Sequence, residues 1–189
     1  MTGTEATPMH GKQVAFLVAN EGIEQVELTE PWRTVQEAGG KPRLIAPHAG
    51  EAQAFPHLVK ADSFPVDQTV AEANPADYVA LVLPGGVVNP DVLRMDKDAV
   101  EFVRAFFDAD KPVAAICHAP WTLVEADVVR GRTMTSWPSL QTDLRNAGAE
   151  WVDQKVVVDG KLVTSRNPGD LPAFNTKLAE VLGHFAHNN

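Results

Sequence analysis

Pro112-Val113-Ala114-Ala115-Ile116-Cys117-His118-Ala119-Pro120 decides how this chain is read. Val113 to Ile116 is too short a run for a helix and follows a proline, so it predicts a buried strand. Pro120 suits a first helical turn, and Trp121, Leu123 and Val124 begin an apolar helical pattern behind it. Cys117, the chain's one cysteine, therefore falls where a strand turns into a helix. A nucleophile elbow has this layout: a tight turn lifts the side chain clear of the sheet, and helix N–H groups stabilise an anion there. On this reading the helix terminus and His118 lower the Cys117 pKa and favour the thiolate. The competing reading makes Cys117 a buried small hydrophobe and His118 a satisfied structural histidine. Neighbours in an extended segment point to opposite faces, so only a turn could bring the two side chains to one rim.

Working outward, the 189 residues and 44% hydrophobic content support a single domain with one good core. The division expected is a flexible leader over residues 1–12 and one domain over 13–187. A net charge of −9, with no basic cluster interleaved with aromatics, argues against nucleic acid as a partner. Met1 to Lys12 has no apolar centre, no window approaches a membrane span, and one cysteine allows no internal disulfide. The expectation is a cytoplasmic protein that touches no membrane.

Gln13 to Ala19 has the length and composition of a strand buried on both faces of a parallel sheet. Asn20-Glu21-Gly22-Ile23 breaks it. From Glu24, the positions Val26, Trp32, Val35 and Ala38 give a helical stripe stopped by Gly39-Gly40, and Arg43 to Ala46 predicts the next strand. Strand, helix, strand is the βαβ unit of a parallel sheet. Pro47 to Gln68 suggests short strands or a hairpin. Tyr78 to Leu83 is a strand that stops at Pro84-Gly85-Gly86, where a glycine pair either makes a tight turn or lets backbone N–H groups approach a ligand. Asn89-Pro90-Asp91 resembles a helix start, and Val100, Val103, Phe106 and Phe107 share one helical face. Thr133 to Thr135 predicts a short strand, residues 139–147 a helix closed by Gly148, and Asp159-Gly160 a hairpin turn before a final helix from Leu171 to His187. His184 and His187 are three apart, but no third ligand is evident, and neither a metal nor a cofactor is expected. The fold class that follows is α/β, with a mainly parallel central sheet.

Three strand ends carry unusual residues: the acidic group after Ala19, the glycine pair after Leu83, and Cys117-His118 after Ile116. A parallel sheet gathers such ends at one edge, where open α/β folds bind ligands. Glu21, Glu24 and Glu27 are the candidate carboxylates, though acids near a helix start also complement its dipole. A carboxyl pressed against a thiolate resists ionising, so it can donate a hydrogen bond to sulfur without acting as a base.

Residues 18–28, Leu83-Pro84-Gly85-Gly86 and Ala115 to Pro120 resemble signature segments of PfpI-type proteins of the ThiJ/PfpI superfamily. Gly131-Arg132, residues 146–153 and 156–160 continue the resemblance, which runs from about Gln13 to Phe185. It implies a flavodoxin-like three-layer sandwich related to class I glutamine amidotransferases, with Cys117 reactive, His118 beside it and the family glutamate at Glu24. It implies backbone donors at Gly85, Gly86 and Ala119, and a homo-oligomer in which Asp91 of a neighbouring subunit orients His118. Three departures stand out: Ala119 replaces a usual glycine, one residue is inserted between Asn20 and Glu24, and Asp91 stands where glutamate is expected.

The function implied is a stress-related cysteine hydrolase of the intracellular protease type, taking a peptide or small-molecule substrate. Glyoxalase or deglycase activity on reactive aldehydes would use the same apparatus. A different class, an oxidative-stress sensor or chaperone-like protein, would use oxidation of Cys117 instead.

Overall fold

A computed structural model describes residues 9–187. Most of the expected leader therefore lies outside the described residues. In chain order the elements are β1 (Gln13–Leu17), β2 (Glu21–Glu24), α1 (Gln25–Glu37), β3 (Lys41–Ala46), β4 (Glu51–Phe55), β5 (Ser63–Pro65), β6 (Gln68–Thr69), β7 (Ala80–Leu83) and α2 (Val88–Leu93). They continue with α3 (Lys97–Asp108), β8 (Val113–Ile116), α4 (Pro120–Glu125), β9 (Thr133–Met134), α5 (Gln141–Asn146), β10 (Glu150–Trp151), β11 (Val157–Asp159), β12 (Leu162–Ser165) and α6 (Leu171–His187).

Seven strands form the central sheet in the order β11-β12-β8-β7-β1-β3-β6. All neighbours run parallel except β11, which turns back on β12 through Asp159-Gly160. The inner strands β7 and β8 are buried along their whole length, as expected where helices cover both faces of a parallel sheet. One apolar cluster, with Leu81, Phe102, Phe106 and Leu123, fills one side. The other, with Phe16, Ile23, Leu28, Phe174 and Leu182, fills the opposite side and includes Cys117. The result is the α/β sandwich anticipated from the strand pattern, and no helix among the described residues is long and apolar enough to cross a membrane.

Two local features differ from the sequence reading. Residues 21–24, expected to break a strand up to Ile23 and to open a helix at Glu24, pair in parallel with β4, and β4 turns back on β5 to give a separate three-stranded sheet. The hairpin between β4 and β5 carries Phe55, His57 and Leu58 to the carboxyl edge of the main sheet. Helix α1 also presents a different face. Val26 is 39% exposed, while Glu27, Leu28, Pro31 and Val35 are buried. A carboxylate thus replaces valine on the inward side.

Candidate active site

The centre is Cys117, one residue beyond β8. Its N–H is held by the carbonyl of Ser165 on β12 (3.0 Å), and its carbonyl accepts from Trp137 N–H (2.9 Å). Fixed at both ends, the residue takes φ +63°, a left-handed conformation that costs a non-glycine residue about 1–2 kcal/mol. That turn brings two sequence neighbours to one rim: Cys117 Sγ lies 3.1 Å from His118 Nδ1. The thiol can donate to this nitrogen, or the protonated ring to the thiolate.

His118 is itself 7% exposed. Trp137 stacks on its ring (5.6 Å, 21°) and Trp121 meets it edge-on (5.3 Å, 64°). Arg94 lies over the ring of Trp121, 5.5 Å from its centroid. Burial between the indoles lowers the His118 pKa, so the neutral ring, able to accept a proton, is favoured at rest.

The carboxylate at the thiol is Glu27. It is fully buried, and its Oε2 accepts from Gly85 N–H at 2.9 Å. No hydrogen-bond partner lies within geometric reach of Oε1, and the remaining side-chain interaction of this carboxyl is with Cys117. Burial, reinforced by the nearby charge of Glu24, raises the Glu27 pKa to about 8. It therefore holds its proton at neutral pH and can donate it to sulfur. Glu24, the position matched by motif, lies instead on the cavity wall. Its Oε2 accepts from the N–H of His57 at 3.0 Å, tying α1 to the β4–β5 hairpin. Glu24 ends β2, whereas Glu27 falls in the first turn of α1 on the buried face it shares with Leu28, Pro31 and Val35.

The anticipated donors also sort differently. Gly85 N–H is committed to Glu27, and Ala119 N–H donates to Ile116 O at 3.1 Å to close the elbow. The amides that face the sulfur are those of Gly86 and His118. Even so, the thiol pKa is pushed up, first by burial and then by the Glu27 charge, against the lowering expected from a helix terminus. A two-turn helix with Ala119 at its cap supplies little field of its own. Thiolate formation thus depends on Glu27 keeping its proton, which removes the repulsion. Asp91 is on the exposed side of α2, pointing its role toward another molecule or toward none.

A cavity of about 620 Å³ opens above the sulfur. Phe55, Leu58, Val87, Val88 and Trp137 give it apolar walls, and Glu21 and Glu24 join Glu27 as its carboxylates. Among the described lining residues there is no lysine or arginine. Trp137, Phe55 and Asn89 escaped the sequence reading. A tryptophan before proline in a loop was the only signal for the first.

A cysteine at a left-handed elbow on a parallel sheet, with a protonated glutamate and amides facing the sulfur, defines a cysteine-centred α/β protein. The DJ-1/PfpI family matches residues 12–181, and the chain belongs to that family. It is 44% identical to Protein/nucleic acid deglycase 2 of Escherichia coli over 177 residues, covering 91% of this chain and 98% of that one. It is 39% identical over 171 residues to the putative cysteine protease YraA of Bacillus subtilis, covering 90% and 98%. Among solved structures, Drosophila melanogaster DJ-1beta superposes with a TM-score of 0.80 at 28% identity, covering 94% of this chain and 95% of that one.

Proposed function

We propose that the protein is a cysteine-dependent hydrolase that splits carbon–nitrogen bonds next to a carbonyl group, and that small aldehyde-modified amines are its preferred substrates. The observation that carries the reading is the Cys117 Sγ to His118 Nδ1 approach of 3.1 Å at an elbow where the Gly86 and His118 amides face the reacting atom. Proton transfer to His118 leaves a thiolate, which adds to the carbonyl carbon. The carbonyl electron pair moves to oxygen, and the two amides stabilise the charge. For an amide substrate, the carbonyl re-forms and its C–N bond breaks as His118 returns the proton to the departing amine. For a carbinolamine of a 2-oxoaldehyde, the amine leaves with that proton as the carbinol hydroxyl becomes the aldehyde, the thiolate adds to the aldehyde carbon, and proton transfer from that carbon to its neighbour turns the hemithioacetal into the thioester. Water hydrolyses the resulting thioester and regenerates the thiol.

The size of the cavity supports a small substrate, since about 620 Å³ is within the range of small-molecule sites. Its carboxylates and missing cations favour neutral or positively charged groups over anions. The similarity to a protein named deglycase supports aldehyde-modified amines, and that to a putative cysteine protease supports peptides as the second substrate class. The test is release of free amine from methylglyoxal-treated amino acids and from short peptides, beside Cys117→Ala. Release from the modified amino acids that vanishes in Cys117→Ala is expected. No Cys117-dependent release from either substrate would overturn the proposal.

A further inference from the structure

Asn89 is an amide side chain with no exposed surface, in the first turn of a short helix, where asparagine has poor helix propensity. A fully buried amide is retained when it is hydrogen-bonded, and this one makes three bonds. Its Oδ1 accepts from Ala19 N–H, just beyond β1, at 2.6 Å. Its Nδ2 donates to the carbonyls of Pro84 (2.9 Å) and Gly85 (3.0 Å), just beyond β7. One side chain therefore joins two of the three strand ends that build the site.

The direction of these bonds matters more than their number. Every peptide in the described chain is trans, so each carbonyl points opposite to the N–H of the same peptide unit. Drawing the Pro84 carbonyl toward Asn89 turns the Gly85 N–H the other way, onto Glu27 Oε2. Drawing the Gly85 carbonyl toward Asn89 turns the Gly86 N–H toward Cys117. Glu24 N–H supports the second carbonyl at 3.3 Å. Glycines have no side chain whose packing could fix these two planes, and Gly86 already sits at φ +85°.

We infer that Asn89 is a positioning residue that aims the Gly85 amide at Glu27 and the Gly86 amide at the reacting sulfur. The inference rests on Cys117 as the reacting centre, as proposed above, and is indifferent to the substrate. Asn89→Asp keeps the shape and the acceptor for Ala19 N–H but loses the paired donor. Asn89→Ser, with a shorter donor, provides a second variant should the buried acid prevent folding. The measurement is the rate of Cys117 alkylation by iodoacetamide against pH in the full chain. Leu182→Ala, in α6, serves as a control for lost stability alone.

In both Asn89 variants the alkylation rate at neutral pH is expected to fall, by about 10²-fold if the amides swing by an ångström. The midpoint of the pH profile is expected to move upward, while Leu182→Ala keeps the wild-type midpoint. Profiles for Asn89→Asp and Asn89→Ser that coincide with wild type or with Leu182→Ala would overturn the inference. Turnover and alkylation separate the two claims. A wild-type protein that releases no amine, yet whose alkylation midpoint moves in the Asn89 variants, ends the proposed function and keeps the positioning role.

Discussion

Glu27 lies against Cys117 with its Oε2 held by Gly85 N–H and its Oε1 without a hydrogen-bond partner, so the proton on this carboxyl governs the charge beside the thiol. As Glu27 is raised from 4.5 to about 8, the neutral carboxyl belongs to the folded state and the charged one to the unfolded state over that interval. The stability this group contributes is fully present below pH 4.5 and lost as the pH rises to about 8. The full loss is on the order of 5 kcal/mol.

Glu27→Gln imitates the protonated acid and cannot ionise. It is expected to melt several degrees above wild type at pH 8 to 9, with the difference shrinking toward pH 4.5. Thermal unfolding across that range checks it. In the same variant, Cys117 alkylation is expected to keep rising above pH 8, where ionised Glu27 suppresses it in wild type.

The left-handed conformation of Cys117 makes the choice of inactivating substitution matter. Cys117→Gly is expected to exceed Cys117→Ala in stability by about 1 kcal/mol, because glycine accepts φ +63° without a Cβ penalty. For a chain of this size that is a difference in Tm of about 2–4 °C. Both variants are expected to lose all turnover.

Trp137 covers one face of His118 and is itself 37% exposed. Trp137→Phe, which keeps a stacked ring, is expected to retain most turnover. Trp137→Ala is expected to raise the apparent pKa of His118 toward that of a solvated imidazole, since burial is what lowers it. The acid limb of the pH–rate profile reads this shift.

Asp91 is exposed on α2, where it is available to a second copy of the chain. A solution mass above that of one chain, together with a fall in turnover of about tenfold or more in Asp91→Ala, is the expected result if the shared arrangement forms. A monomer with full activity in Asp91→Ala excludes it.

The central strands, the turn at Cys117 and the meeting of three strand ends were legible because each depends on local runs: Val113 to Ile116, Tyr78 to Leu83 and Gln13 to Ala19. The identity of the buried glutamate was not. Glu21, Glu24 and Glu27 repeat every three residues, but the first two fall in β2 and only Glu27 is carried inward by the buried face of α1. The spacing of Glu27, Pro31 and Val35 by fours held that information, but Val26 gave a plausible rival stripe. Asn89 and Trp137 act through tertiary hydrogen bonds and stacking, which leave no periodic trace in a sequence. The acceptors that take up the Gly85 and Ala119 donors were hidden for a similar reason. An N–H is available only if nothing nearer claims it, and the claims of Glu27 and Ile116 are made in three dimensions.

Gly22 packs directly against the start of α2 and the loop before it. A Cβ on Gly22 would run into the Cβ of Val88, and one on Gly86 into the carbonyl of Gly22. The two loops are interlocked at backbone distance, so neither can be lengthened, shortened or given a bulkier residue alone. Substitutions here are expected to be tolerated as compensating pairs and rejected singly, which makes this seam a barrier between neighbouring sequences that would be equally fit.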